Sequence, residues 1–379
     1  MKKNRRNLLL MTFLQSLGTA LVGVFFPFLV AKAFGLEIWE IFIWLTSLNF
    51  AGFLIVYPLN KWLNRYLKLP QILQLGLTGI ALFYLLLSIS RNFPWLIILA
   101  TVFLTLGIYT FWPNFHLFNL HSTKESARAD HVGNMQVFTV GASIVAPLIS
   151  GFLLQNDLEI WISLVAGISF GSAIFFAGKL AVPKLKLSNW NNLWDFFSRD
   201  FIKSPMGKFC FIEGIQSGTL LTVWPVFFKS VLASFIQMGS FISFSAVVEM
   251  ISAKISGKLI DQKSAKKTLQ YSAIIRFFDL GIRGLLVFWP TAMMAGIASF
   301  FAGFLGPVFN ISYYTRLIEL AEKNPEHEWN FFIVREWILS GMRGLTYFFA
   351  GISVLYFGIK SLVVFLFIAA LASFGLRKS

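Results

Sequence analysis

The sequence predicts an all-α integral membrane protein of twelve transmembrane helices in two pseudo-symmetric six-helix bundles. Three observations carry that expectation. The first is composition: 57% of the 379 residues are hydrophobic, 13% are charged, and the mean hydropathy is +0.72. A soluble domain runs about 45–50% apolar and about 25% charged, so a disordered chain is excluded and a water-soluble enzyme disfavoured. The second is twelve apolar runs, each near the roughly 20 residues that one bilayer crossing needs. The third is where the Lys and Arg residues fall. Hydrocarbon offers backbone groups no partner, so each run is expected to be a helix rather than a strand.

The elements follow in order. The first run, 8–31, comes after Lys2-Lys3-Asn4-Arg5-Arg6. It is too long for a signal-peptide core and no small-residue cleavage site follows, so it is expected to remain as the first helix. Runs at 38–58, 70–89, 95–119, 133–154 and 158–182 complete a first unit, 1–182. Very short turns, Arg91-Asn92-Phe93-Pro94 and Gln155-Asn156-Asp157, separate some of them. The stretch 183–205 is the widest loop. In it Trp190, Leu193, Trp194, Phe197 and Phe201 recur at helical spacing opposite Asn191, Asn192, Asp195, Ser198 and Arg199. This reads as an interfacial amphipathic helix serving as a connector, with a lipid sensor as the alternative. A second unit, 206–379, holds runs at 206–228, 232–256, 268–289, 291–317, 332–356 and 359–376, with a break at Trp289-Pro290.

The net charge of +15 is read by position. With the N-terminus inside, 24 of the 32 Lys and Arg lie on the inner face. Lys32, Arg91, Lys229 and Lys360 lie outside, while Arg276, Arg283, Arg335 and Arg343 lie within spans. The reverse topology would break the positive-inside rule, so both termini are expected in the cytoplasm, with the chain in the cytoplasmic membrane. Nucleic acid is not an expected partner. The single Cys210 allows no disulfide within the chain and no thiolate cluster. No metal motif, phosphate-cradling glycine loop or catalytic triad is present, so no cofactor and no enzymatic activity are expected.

The halves look like copies. Gln15-Ser16-Leu17-Gly18-Thr19 followed by Pro27 matches Glu213-Gly214-Ile215-Gln216-Ser217 followed by Pro225, at a constant spacing of 198. Trp112-Pro113-Asn114 matches Gly306-Pro307-Val308. Repeated units with a site between them near the midplane are a frequent build of secondary transporters.

Gly257-Lys258-Leu259-Ile260-Asp261-Gln262-Lys263-Ser264-Ala265-Lys266-Lys267 resembles the inner-loop signature of the major facilitator superfamily, with one residue added. The loop beginning at Asn60 and containing Asn64-Arg65 is similar to a decayed copy. Ala142, Ala146, Pro147, Ser150 and Gly151 stand where the family's helix-five motif places small residues and proline. The arginine that proton-coupled members often carry in helix four is missing. The resemblance implies two rocking bundles with helices one, four, seven and ten around a cavity. It also implies that Asn64, Arg65, Gly257, Asp261, Lys266 and Lys267 are gating-loop residues that latch one state; topology determination alone is the plainer account of the lysines.

Ionisable groups within spans are candidates by default. Glu213, among Phe209, Phe211 and Leu220, is either a proton-coupling carboxyl or the structural partner of Arg343. Arg276, Asp279 and Arg283, at i, i+3 and i+7, read as a local charge cluster, with Arg343 counted among the same intramembrane charges and an anion site as the alternative. Tyr109, Trp112, His116 and Asn119 form one stripe, facing Asn310 and Tyr313 of helix ten. With Gln15, Thr19, Gln216 and Ser217 they make the expected substrate surface. Arg335-Glu336 is expected to pair at the start of helix eleven, and Glu249 lies near Lys254. His121, His131 and His327 read as solvated. The expectation is a monomeric secondary transporter of a small organic solute, with proton-coupled efflux as its mode and membrane lipids around it. A lipid or lipid-linked flippase and a non-transporting receptor or scaffold are the alternatives.

Overall fold

A computed structural model describes residues 2–122, 128–181, 204–260, 265–322 and 328–378. All regular structure among them is helical. The helices are α1 (Lys2–Val22), α2 (Phe26–Phe34), α3 (Ile38–Tyr66), α4 (Leu69–Ile89), α5 (Leu96–Ser122), α6 (Arg128–Gln155) and α7 (Glu159–Gly178). They continue with α8 (Pro205–Gly218), α9 (Trp224–Val231), α10 (Phe235–Ile260), α11 (Ala265–Gly284), α12 (Ala292–Glu322), α13 (Glu328–Phe357) and α14 (Val363–Ser373). Most of the expected amphipathic stretch, and Asp261, lie outside the described residues.

Among the described residues ten helical segments are long and apolar enough to cross a membrane, from Arg6–Phe34 to Ile359–Leu376. Two further helical stretches pack among them, Pro205–Val231 and Ala265–Val287. The second carries Arg276, Asp279 and Arg283, which lower its apolar character.

Prolines explain the irregular turns. Pro lacks an N–H and clashes with the preceding turn. Accordingly α1 passes into α2 through a 3-10 turn, Gly23–Phe25, just before Pro27. In the same way α8 passes into α9 through a π turn, Thr219–Val223, just before Pro225. Within α5, Pro113 cannot donate to the Tyr109 carbonyl one turn back. Asn60 of α3 fills the vacancy, donating to the Tyr109 oxygen at 2.8 Å. Asn114 then donates to Asn60 Oδ1 at 2.6 Å, and Asn64 donates to Asn114 Oδ1 at 3.4 Å.

Lipid supplies no hydrophobic drive between helices, so close packing and hydrogen bonds must hold them. In the first half α1 lies on α6 and α7, and α4 on α5 and α7. In the second, α11 lies on α12 and α14, α8 on α13, and α10 on α12. Two long contacts join the halves. Along α3 and α13, Phe53 stacks on Trp337 at 4.1 Å and Phe42 meets Tyr347 at 6.4 Å. Along α6 and α10 the backbones touch: a Cβ on Gly151 would sit 2.4 Å from the Phe235 oxygen, and one on Gly239 2.3 Å from the Pro147 oxygen. The outer wall of the bundle is apolar, with Leu54, Ile98, Phe175, Ile251, Phe349 and Leu371 exposed.

The start of α1 and the end of α7 lie together on one face, where Asn4 Oδ1 accepts from the Ala181 N–H at 2.8 Å. The turns at Gly35, Asp157 and Gly358 lie on the opposite face, each with positive φ. There Lys32 binds Asp157, whose carboxyl it holds below the usual carboxylate range by a hydrogen bond and by its charge.

Candidate transport cavity

A cavity of about 390 Å³ lies between the halves. One wall is polar and comes from α1 and α6. Thr12, Gln15, Ser16 and Thr19, at i, i+3, i+4 and i+7, put one face of α1 into it, and Thr139 and Ser143 do the same from α6. Gln15 donates to the Thr19 hydroxyl at 3.0 Å, and Ser16 and Thr139 share a hydrogen bond of 3.1 Å. The Thr12 hydroxyl is buried without a partner among the described residues.

The facing wall is aromatic: Trp112, Phe115 and His116 from α5, Tyr314 from α12 and Phe332 from α13. The His116 ring lies nearly parallel to Phe332 and Trp112, each at 5.8 Å between centroids, and 6.2 Å from Tyr314. Its nitrogens have no hydrogen bond among the described residues. Among the described residues no charged side chain lines this cavity.

The expected substrate residues divide. Gln15, Thr19, Trp112 and His116 line the cavity together, as does Pro147 of the helix-five motif. Tyr109 instead points into the α3–α5 contact and donates to Asn49 Oδ1 at 3.0 Å. Gln216 donates to Ser373 at 2.7 Å, and Tyr313 stacks on Phe209 at 4.2 Å. Asn310 lines a second cavity, of about 240 Å³, with Arg276 and Arg283.

Glu213 is paired, but with Arg335 rather than with Arg343. Arg335 Nε donates to Glu213 Oε2 at 2.9 Å, a second guanidinium nitrogen reaches Oε1, and Nη1 donates to Glu336 at 2.6 Å. Arg343 donates to Ser217 at 2.8 Å and lies 4.0 Å from Glu336. These two cations and two anions are charge-balanced, which suits a low-dielectric interior. His121, expected to be solvated, instead meets Glu328 at 2.6 Å, joining α5 to α13.

Asn64 belongs to α3 and is buried, held in the amide network that repairs the Pro113 gap, rather than sitting in a loop. Arg65 is exposed in the same helix. Gly257 lies within α10, Lys266 in the first turn of α11, and Lys267 is exposed. Ala142, Ala146 and Ser150 are buried, and Gly151 is the α10 contact.

Sequence reasoning missed Thr12, Ser16, Phe115, Thr139, Ser143, Tyr314 and Phe332. The hydroxyl periodicity of α1 could have revealed Thr12 and Ser16. Tyr314 and Phe332 carry no such signal.

A lipid-facing helical bundle with an internal cavity between its halves has the architecture of a membrane transporter. The sequence profile described as Major Facilitator Superfamily matches residues 8–328, and the chain belongs to that superfamily. Its fold is similar to that of the human organic anion transporter MFSD10 (TETRAN), with a TM-score of 0.71 at 13% identity over 99% of both chains. It is similar to the nucleoside transporter NupG, with a TM-score of 0.66 at 14% identity over 100% of this chain and 98% of that one. FucP, a transporter of the same superfamily in its outward conformation, gives 0.67 at 15% identity over 99% and 97%. No curated protein matches in a sequence comparison.

Proposed function

We propose that this chain is a secondary active transporter of a small, uncharged organic solute in the cytoplasmic membrane. The observation that carries the reading is the cavity between the halves, polar on one wall, aromatic on the other and, among the described residues, lined by no charged side chain. An ionised solute entering such a site would lose its hydration without a counter-charge, at a cost of several kcal/mol or more. A neutral solute with a flat ring and hydroxyl or amide edges matches both walls. A nucleoside, the class named for the similar NupG, has that chemistry.

Counting Pro205–Val231 and Ala265–Val287 as spans makes twelve, six in each of the units 1–182 and 206–379. The paired breaks before Pro27 and Pro225 support the pseudo-symmetry. The units rock about the cavity in a monomer with both termini cytoplasmic. The α6–α10 contact shuts the opposite face in the state seen, and Gly257, Asp261 and the neighbouring lysines latch the termini face. Glu213 carries the coupling proton: protonation removes its charge, frees Arg335 and loosens α8 from α13. Exchange of an inward proton for an outward solute makes the mode efflux. A flippase reading draws instead on the arginines of the second cavity.

Transport of labelled nucleosides and sugars in proteoliposomes with an imposed pH gradient tests this. Gln15→Leu should abolish transport of the accepted solute, and Glu213→Gln should leave exchange while removing its gradient dependence. Transport unaffected by Gln15→Leu refutes the cavity assignment, and gradient dependence persisting in Glu213→Gln refutes the proton role.

A further inference from the structure

The second cavity, about 240 Å³, is unlike the first because it is lined by charge. Arg276 and Arg283 of α11, Glu249 and Ser245 of α10, and Ser299 and Asn310 of α12 all face it. Among the described residues Val24 and Ile242 are the two that line both cavities.

The hydrogen bonds of the two arginines do not close on themselves. Asp279, fully buried, accepts from Arg276 Nη1 at 2.8 Å and from Arg283 Nε and Nη2 at 2.9 and 3.2 Å. Each guanidinium has five N–H donors, and one carboxylate cannot accept them all. Arg276 is 6% exposed, yet its Nε has no partner among the described residues. The Ser299 hydroxyl on the same cavity is likewise buried without one. Aromatic rings back both cations: Arg276 lies 4.9 Å from the Phe309 centroid and Arg283 5.1 Å from that of Trp224. These rings fix the planar guanidinium groups in place, and a fixed fork with spare donors is the usual receptor for a carboxylate or phosphate.

We infer that this cavity is a binding site for an anionic group, a carboxylate or a phosphate, held by Arg276 and Arg283 with Ser299 and Asn310 as neutral donors. Among the described residues Glu249 is the one acid on the cavity wall. With Asp279 and Glu249 ionised, the four charged groups balance. A ligand anion adds a second negative charge to the wall, and the Glu249 carboxylate facing the same cavity repels it. Glu249 therefore sets the affinity, and neutralising it strengthens binding. This site does not depend on what the first cavity carries, because binding is measured without transport.

The test titrates benzoate and inorganic phosphate into the purified full chain in neutral detergent, read by calorimetry and by thermal stabilisation. A parallel arm compares nanodiscs of phosphatidylcholine alone with nanodiscs containing phosphatidylglycerol, and asks whether the anionic lipid displaces benzoate. Displacement names a lipid headgroup as the source, and its absence a free solute; either agrees with the site. Arg276→Met should weaken binding about tenfold or more, as loss of a charge-assisted pair does. Glu249→Gln, which leaves the arginines and Asp279 intact, should tighten it. Ser299→Val fills the site and should weaken it if Arg276→Met does not fold. Absence of binding by benzoate, phosphate and anionic lipid, or affinity unmoved by both Glu249→Gln and Ser299→Val, overturns the assignment.

Discussion

Gly239→Ala is the substitution whose effect follows most directly from the packing. Its new methyl would stand 2.3 Å from the Pro147 carbonyl oxygen, where ordinary contact begins at 3.4 Å. The obstacle is backbone, so no rotamer change relieves it, and α6 and α10 must separate by about 1 Å in an interior that is close-packed. Overpacking of this kind costs about 1–3 kcal/mol. In a two-state carrier that cost falls on the state with the opposite face shut and vanishes when α6 and α10 part there. The population of the open state should rise by about 5- to 150-fold. The assay is the rate at which an impermeant maleimide, added from the opposite face, labels a Ser16→Cys reporter in the cavity. Background is low because the single native cysteine, Cys210, is fully buried. Gly151→Ala, which meets the Phe235 oxygen at 2.4 Å, should act alike. Unchanged labelling in a well-folded Gly239→Ala protein would refute the idea that this contact closes the face.

Three further outcomes are expected. Asn60→Leu should lower stability by about 1–3 kcal/mol, because the Tyr109 carbonyl left open by Pro113 loses its donor. Adding Pro113→Ala restores a backbone donor and should recover part of the melting temperature; no recovery would argue against this account. His116→Phe removes no hydrogen bond within the protein, so melting should hold while solute transport falls about tenfold, the worth of one hydrogen bond of ~1.4 kcal/mol. A matching drop in melting temperature would show that the ring is structural. Asp157 has a folded-state value below the ordinary one because Lys32 binds it. Its contribution is therefore present above the ordinary carboxylate value and disappears as pH falls through the lowered folded value. Melting curves of Asp157→Asn and the parent should differ at neutral pH and converge in acid.

Much of this architecture is legible because lipid makes it a local problem. Bilayer thickness fixes the length of each apolar run, and unpaired backbone groups force each run to be helical. The breaks before Pro27 and Pro225 are local too, since each follows from one missing N–H. Partner choice is different. Gly214 lies against Leu339 and Met342, so Arg335 and Arg343 stand about a turn to either side of that level, and depth in the sequence does not choose between them. Helix packing gives Glu213 to Arg335 and Ser217 to Arg343.

Asn60 and Asn64 show the same limit. As letters they resemble a worn loop signature, but α3 continues to Tyr66 and turns both inward against α5. Their role exists only because Pro113, distant in the chain, leaves a carbonyl open beside them. Helix type, span length and the sign of each loop were set by the residues in place, since each depends on neighbours within a few turns. The uncharged cavity, the four-charge lock on α8 and α13, and the second cavity of Arg276 and Arg283 were decided by the rotation and contact of helices far apart in sequence. Apolar periodicity constrains those rotations weakly in a medium that wets every apolar face alike.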